Sequence, residues 1–305
     1  MNQNPDINKN YNNNLTRLAI TRVMADRNIF ESSEKLYAES GIYCHINSEK
    51  IDNLFRLLII GSQDVDNPYF GGFYFFEGKF PNDYPFRPPS VLAKTQGDNI
   101  RFHPNFYRNG KCCLSILGTW SGPGWTSCQN ISTLAHSLKS LYIKNPIHQE
   151  PGWENKKNES TEIYERIVNY KSLEIAVLQM MEYPPSGFET FLPIMEDFFM
   201  KNFDFYMKKI NELLPIQNKA DSFHLYQLHV IYDVIRLKER FVNMKEKLDA
   251  KYASKTTKSS QSKRKCPNEP ASKYEVNFMK KSENDGNNWV VVQLSNGVKR
   301  WKKYN

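Results

Sequence analysis

Five cysteines (Cys44, Cys112, Cys113, Cys128 and Cys266) are an odd number without framework spacing. No Cys-x-x-Cys or Cys/His pattern offers four ligands, so disulfide scaffolds and structural zinc drop out. Long apolar runs are missing too. The longest, such as Leu57 to Ile60, fall far short of the roughly 18 residues of a membrane span. Met1 to Asn14 is rich in Asn and lacks the basic and apolar regions of a secretory signal, which places the chain inside the cell, in the cytoplasm. No phosphate-cradling loop of the Gly-x-x-x-x-Gly-Lys-Ser/Thr type is present. What remains is a globular balance, 40% hydrophobic and 24% charged over 305 residues, enough for one large domain or two ordinary ones.

The net charge of +8 admits nucleic acid or an acidic protein surface as partner. The cations of Lys251 to Lys265 fall in a Ser/Thr-rich stretch without an acid between them, which reads as a solvated linker and makes nucleic acid the lesser expectation. Lys263-Arg264-Lys265 also has the form of a nuclear import signal.

Periodicity organises the chain. Leu15, Leu18, Ala19, Val23 and Met24 recur at helical spacing, with Arg17, Arg22 and Arg27 on the complementary positions. Four runs rich in β-branched and aromatic residues follow: Ile42 to Ile46, Leu54 to Ile60, Phe73 to Phe80 and Val91 to Ala93. Their short links predict an antiparallel meander. A second helix is expected from Asn130 to Lys144, stopped by Pro146. Beyond Glu159 three helical segments are expected, the third carrying Leu225, Leu228, Tyr232, Ile235 and Phe241. Their apolar faces read as packing surface. Trp289 to Leu294 and Val298 to Trp301 flank an Asn-Gly turn and predict a β-hairpin. The fold class is α+β.

Between the fourth strand and the second helix lies a long, apolar, hence ordered, loop with His103-Pro104-Asn105 and Cys112-Cys113. Acyl transfer through a cysteine needs a reachable thiol and a donor for the oxyanion of the tetrahedral intermediate. Asn105 offers an uncharged amide donor, positioned by Pro104, and either cysteine could be the nucleophile. Spacing alone leaves open two small core cysteines, a common fate of free thiols.

His103-Pro104-Asn105 with Cys113 eight residues after the Asn, preceded by Asn67-Pro68-Tyr69-Phe70-Gly71-Gly72 and by Phe80-Pro81-Asn82-Asp83-Tyr84-Pro85-Phe86-Arg87-Pro88-Pro89, resembles the ubiquitin-conjugating enzymes. The likeness runs over about half the chain. The insertion Gly118 to Trp125 and the long helical extension resemble the family's larger, extended subclass. The resemblance implies a UBC-like fold over 13–160, after a flexible start at 1–12. A helical extension (161–250), a basic linker (251–273) and a small segment with the hairpin (274–305) follow.

By the same resemblance, Cys113 takes the carboxyl terminus of ubiquitin or a ubiquitin-like modifier as a thioester and passes it to a substrate amine, usually lysine. Asn105 stabilises the oxyanion, and His103 and Pro104 hold the loop. His148 stands near the position of an acidic gate residue, either to orient the incoming lysine or to anchor a loop. Arg17, Arg22 and Arg27 imply docking to the ubiquitin-activating enzyme, and Phe86 contact with a RING-type ligase. No cofactor, metal or membrane is implied. Two departures qualify the pattern: Ser115 replaces the Asp found in many members two residues after the cysteine, and Ser127-Cys128 replaces a small Pro-Ala pair near the ligase surface. The alternative is a catalytically silent scaffold of the same fold that binds ubiquitin or a ligase.

Overall fold

The structure, a computed structural model, describes residues 15–47, 53–260 (backbone alone for 255–260) and 265–304. The expected flexible start at 1–12 lies outside them, as do Lys263 and Arg264. The chain divides into two compact units, 1–245 and 246–305.

In the first unit Thr16 caps helix α1 (Arg17–Ser32), its hydroxyl accepting the Ala19 N–H at 3.2 Å. The buried face is Ala19, Val23, Asp26 and Phe30. Leu18 and Met24, expected inward, are exposed. The reason is polar: buried Asp26 accepts from Arg22 (2.8 Å), from Tyr84 and from the Ile131 N–H (3.2 Å), and so centres the face on itself. Helix α2 (Glu34–Glu39) leads into β1 (Ile42–Ile46), β2 (Leu54–Ile60), β3 (Phe73–Lys79) and β4 (Ser90–Ala93), an antiparallel meander in sequence order.

Phe73, Tyr74, Phe75 and Phe76 are all buried, so this sheet does not alternate between core and water. Tyr74 stacks on Tyr142 at 4.3 Å and Phe76 meets Phe106 at 5.2 Å on one face. Phe75 meets Phe188 at 4.7 Å and Phe73 meets Phe198 at 6.1 Å on the other. The second face is thus closed by the extension. Helix α3 (Ile131–Lys139), capped by Asn130, ends five residues before the expected Lys144. Tyr142 turns onto Tyr74 instead, and its carbonyl accepts from Asn67 Nδ2 at 3.1 Å.

A capping box of Asn158 and Thr161 opens α4 (Glu159–Lys171), which continues as a π-helix (Ser172–Gln179) and ends with Met180–Glu182. Helices α5 (Leu192–Lys201) and α6 (Phe203–Leu213) follow. The third expected helix is wrong in its first half: 220–231 is a hairpin of β5 (Ala220–Phe223) and β6 (Leu228–Ile231), and α7 begins only at Val234 and runs to Ser260. Leu228 and Val230 are buried at period two, with Gln227 left-handed (φ +50°) at the turn. The extension grips the meander's loops. Tyr206 donates to the Gly71 carbonyl at 2.8 Å, and Lys209 donates to the carbonyls of Val65 (2.7 Å) and Asn67 (2.8 Å).

In the second unit β7 (Met279–Lys281), β8 (Asn288–Gln293) and β9 (Lys299–Lys303) form an antiparallel sheet, a strand more than the expected hairpin. Val291 is fully buried, Tyr274 stacks on Phe278 at 4.4 Å, and the Trp301 indole donates to the Glu269 carbonyl at 2.7 Å. The stretch expected as linker is largely structured: α7 occupies it to Ser260, and the carbonyls of Lys265 and Cys266 accept from Ser282 (2.6 Å) and Asn284 (2.7 Å).

Candidate active site

The loop after β4 folds back on itself. The Phe106 N–H donates to the His103 carbonyl (2.9 Å), Tyr107 to Lys111 (2.9 Å), and Cys113 to Asn105 (2.8 Å), with Gly110 at φ +85° turning the chain between the two limbs. This brings Asn105 and Cys113 side by side although eight residues separate them. The carboxamide completes the pairing: Asn105 Nδ2 donates to the Cys113 carbonyl at 2.6 Å. In the resting protein, therefore, the expected oxyanion donor secures the backbone of the thiol-bearing residue.

His103 is fully buried, and its Nδ1 accepts the Asn105 N–H at 3.0 Å. Burial first, and then the nearby Arg101 charge, lower its pKa to about 3. It is neutral at physiological pH and serves as a backbone acceptor that shapes the loop.

Adjacent residues on an extended limb face opposite ways, so the two thiols are not equivalent. Cys112 points inward, 3.6 Å from the Gly110 carbonyl, and burial pushes its thiol up to about 12. It stays protonated and inert. Cys113 is also buried, at 4% exposed. Burial first, and then the nearby Cys113, raise the Tyr107 pKa, so Tyr107 keeps its proton. The insertion that follows is tied back to the same limb: Thr119 Oγ1 donates to the Cys112 carbonyl (2.7 Å) and accepts the Leu114 N–H (2.9 Å).

The other expected residues lie apart from this pair. His148 shares a 2.8 Å hydrogen bond with the Lys156 carbonyl, a loop-anchoring arrangement. Phe86 is 64% exposed on the Pro-rich turn. Arg22 is committed internally: besides Asp26, it donates to the carbonyls of Ser127 (3.0 Å) and Gln129 (2.6 Å), tying α1 to the start of α3. Arg27 pairs with Glu31 at 2.6 Å, and Arg17 is exposed. Among the described residues no three His, Cys, Asp or Glu side chains converge as a metal site, and no helix is long and apolar enough to cross a membrane.

Sequence reasoning passed over Tyr107, Arg101 and Tyr226. Tyr107 carried no usable signal, because Asn105 sits in the turn that pairs Phe106 with His103 rather than on an extended limb. Arg101 and Tyr226 had none either, being brought together only by the extension's hairpin.

A four-stranded meander between helices, with a tethered Asn and a paired-up cysteine limb beside it, defines a domain of the ubiquitin-conjugating type. Residues 22–171 match the family model of that description, Ubiquitin-conjugating enzyme, and this half of the chain belongs to the family. Among curated relatives, ubiquitin-conjugating enzyme E2 Z of Danio rerio is 43% identical over 162 residues, covering 52% of this chain and 49% of that protein. The Homo sapiens enzyme of the same name is 39% identical over 184 residues, 59% of this chain and 52% of its own. The dual E2 ubiquitin-conjugating enzyme/E3 ubiquitin-protein ligase BIRC6 of Mus musculus is 29% identical over 209 residues, 64% of this chain and 4% of its own. The chain spans about half the length of the E2 Z proteins from Danio rerio and Homo sapiens.

Proposed function

We propose that the protein is an active ubiquitin-conjugating enzyme that carries ubiquitin or a ubiquitin-like modifier on Cys113. The Cys113 sulfur attacks the modifier's thioester on an activating enzyme. A new S–C bond forms, the old one breaks, and the donor cysteine leaves as thiolate. A substrate amine then attacks the Cys113 thioester, the C–N bond replaces the C–S bond, and the amine's proton passes to solvent. ATP is consumed upstream, which leaves this chain the tasks of positioning and of steadying the oxyanion. The observation that carries the reading is the pairing of the Asn105 limb with the Cys113 limb, which places a neutral amide on the backbone of Cys113.

For Asn105 to serve the oxyanion, its amide must leave the Cys113 carbonyl when the tetrahedral centre forms. The exposed Phe86 is the contact for a RING-type ligase. The open part of the basic α1 surface, Arg17, is the contact for the activating enzyme, Arg22 being engaged within the fold. Protein lysines are the acceptors, and His148 acts at the rim as an anchor of the 146–156 loop. Incubation with activating enzyme, ATP and a panel of modifiers tests the reading. A thiol-reducible adduct is expected that is lost in Cys113→Ala and retained in Cys112→Ala. No adduct with any modifier favours the silent scaffold.

A further inference from the structure

The second unit lies beyond the family match, which ends at residue 171, and the two faces of its sheet differ in character. Alternation along β7, β8 and β9, with the register between them, assigns each side chain to a face. Trp289, Val291 and Trp301 share one face, and it is packed: Val291 is fully buried and Trp301 lies 5.5 Å from the Tyr274 ring. The four acids between Lys265 and Tyr304 are engaged on this side. Glu269 and Glu283 pair with Lys280 (2.9 and 3.5 Å), Glu275 pairs with Lys299 (4.0 Å), and Asp285 accepts from the Trp289 indole (3.1 Å). The other face is not the polar surface that a one-sided antiparallel sheet turns to water. Val290 and Val292, half-buried, run along its centre, with Met279, 54% exposed, beside Val290 on β7. The exposed Leu294 and Val298 close one end. Arg300 and Lys302 stand opposite Val292 and Val290 on β9, and Lys281 continues the row of Met279. All three cations are exposed, and none pairs with a carboxylate among the described residues. Short valines between the longer Met279, Arg300 and Lys302 make a shallow trough, apolar along its floor and cationic along one wall.

We propose that this face is a docking surface for an acidic amphipathic segment of a partner protein, which sets aliphatic side chains on Val290 and Val292 and carboxylates on Arg300 and Lys302. An exposed aliphatic strip rimmed by unpaired charge of one sign fits a partner of opposite charge that carries its own apolar stripe. The spacing agrees. Two residues along β9 cover about 6.8 Å, close to the roughly 6 Å between positions i and i+4 of a helix. Nucleic acid is the poorer fit, because bases stack on ring faces and both tryptophans of the sheet belong to the packed side. A bilayer is a poorer fit too. The recessed valines do not reach past the longer side chains of the rim, as insertion between acyl chains requires. The surface does not depend on the chemistry at Cys113.

The test uses the full chain and fluorescein-labelled peptides, read by fluorescence anisotropy at about 150 mM salt. One peptide is an amphipathic helix of Leu and Glu, a second has Ala in place of every Leu, and a third has Lys in place of every Glu. The Leu/Glu peptide is expected to bind, and the other two about tenfold or more weakly. Arg300→Glu/Lys302→Glu weakens the first peptide about tenfold or more, whereas Lys247→Glu/Lys251→Glu, the same change of charge on α7, leaves it within about twofold. Val292→Thr, which keeps the volume and adds a hydroxyl, also weakens binding while the thermal melt stays near that of wild type. Should the paired glutamates unfold the unit, Arg300→Ser/Lys302→Ser gives the same reading. Equal binding of the Ala/Glu peptide, or equal losses in the two charge-reversed pairs, overturns the dock and leaves only diffuse attraction to a basic unit. No binding of the Leu/Glu peptide up to about 1 mM overturns it as well. Tighter binding of oligothymidylate or of phosphatidylserine vesicles, lost in Arg300→Glu/Lys302→Glu, overturns it in favour of nucleic acid or membrane. A dimer in sedimentation that the same variant dissolves overturns it in favour of a second copy.

Discussion

Asn105 combines two roles that substitution can separate. Its amide secures the Cys113 carbonyl in the resting structure, and the proposed chemistry needs the same donor at the oxyanion. Asn105→Ala should lower stability by about 1–2 kcal/mol through the lost hydrogen bond. Loss of an oxyanion donor should raise the transfer barrier by about 2.7–4 kcal/mol. Single-turnover discharge to free lysine, measured beside urea unfolding, distinguishes them: charging should persist while discharge slows far beyond what the stability loss accounts for. If charging and discharge decline together, Asn105 is structural only. His103 makes a prediction in pH. Its folded pKa of about 3 lies below the ordinary value near 6.5. The unfolded chain therefore binds the proton first, and the stability present above pH 6.5 falls by roughly 1.4 kcal/mol per unit as pH drops from 6.5 toward 3. His103→Asn, which keeps an acceptor for the Asn105 N–H but cannot titrate, should flatten that part of the unfolding free energy against pH. The motif made these residues legible. The bond between the amide and the Cys113 carbonyl was not, because a motif carries no orientation.

Among the elements, the strands were readable because the Phe73 to Phe76 run and the Pro-rich turn announce themselves within a few residues. The hairpin at 220–231 was missed for a specific reason. Leu225, Leu228 and Tyr232 are spaced as on a helix, while the competing alternation of Leu228, Val230 and Tyr232 spans only five residues. The turn residue is Gln227, which adopts the left-handed region without the usual Gly or Asn signal. In α1 the stripe was misjudged because a buried carboxylate, Asp26, centres the inward face, and a search for apolar spacing does not register it. Elsewhere an element-level contact sets a strict steric limit. Gly71 has φ +62°, and an added Cβ would stand 2.3 Å from the Tyr206 hydroxyl. Gly71→Ala should therefore cost about 2–4 kcal/mol by combining strain at positive φ with displacement of α6. Tyr206→Phe, which only leaves the Gly71 carbonyl without its donor, should cost about 1–3 kcal/mol. Urea midpoints of the two variants check the order, and a Gly71→Ala protein as stable as wild type would exclude the close contact.

At the scale of the whole molecule, charge and core are distributed unevenly, and each governs a different behaviour. Residues 246–305 hold fourteen Lys and Arg against six Asp and Glu, which accounts for the full net charge of +8 and leaves 1–245 neutral. Salt-sensitive adsorption to a cation exchanger is thus expected of the second unit. The core has the opposite bias. The family match ends at residue 171, yet the face of the sheet carrying Phe73 and Phe75 is closed by Phe188, Phe191 and Phe198 from beyond that point. Gly71, Val65 and Asn67 likewise present carbonyls to Tyr206 and Lys209. A chain cut after Lys171 would expose an aromatic face of β3 and leave those loops without their donors. Removing that burial, at roughly 25 cal/mol per Å² of apolar surface, withdraws several kcal/mol from a fold whose stability is only about 5–15 kcal/mol. Residues 1–171 should aggregate or bind a hydrophobic dye without a cooperative melt, whereas the full chain should melt cooperatively. A soluble, sharply melting 1–171 fragment would mean that the extension merely rests on a complete domain.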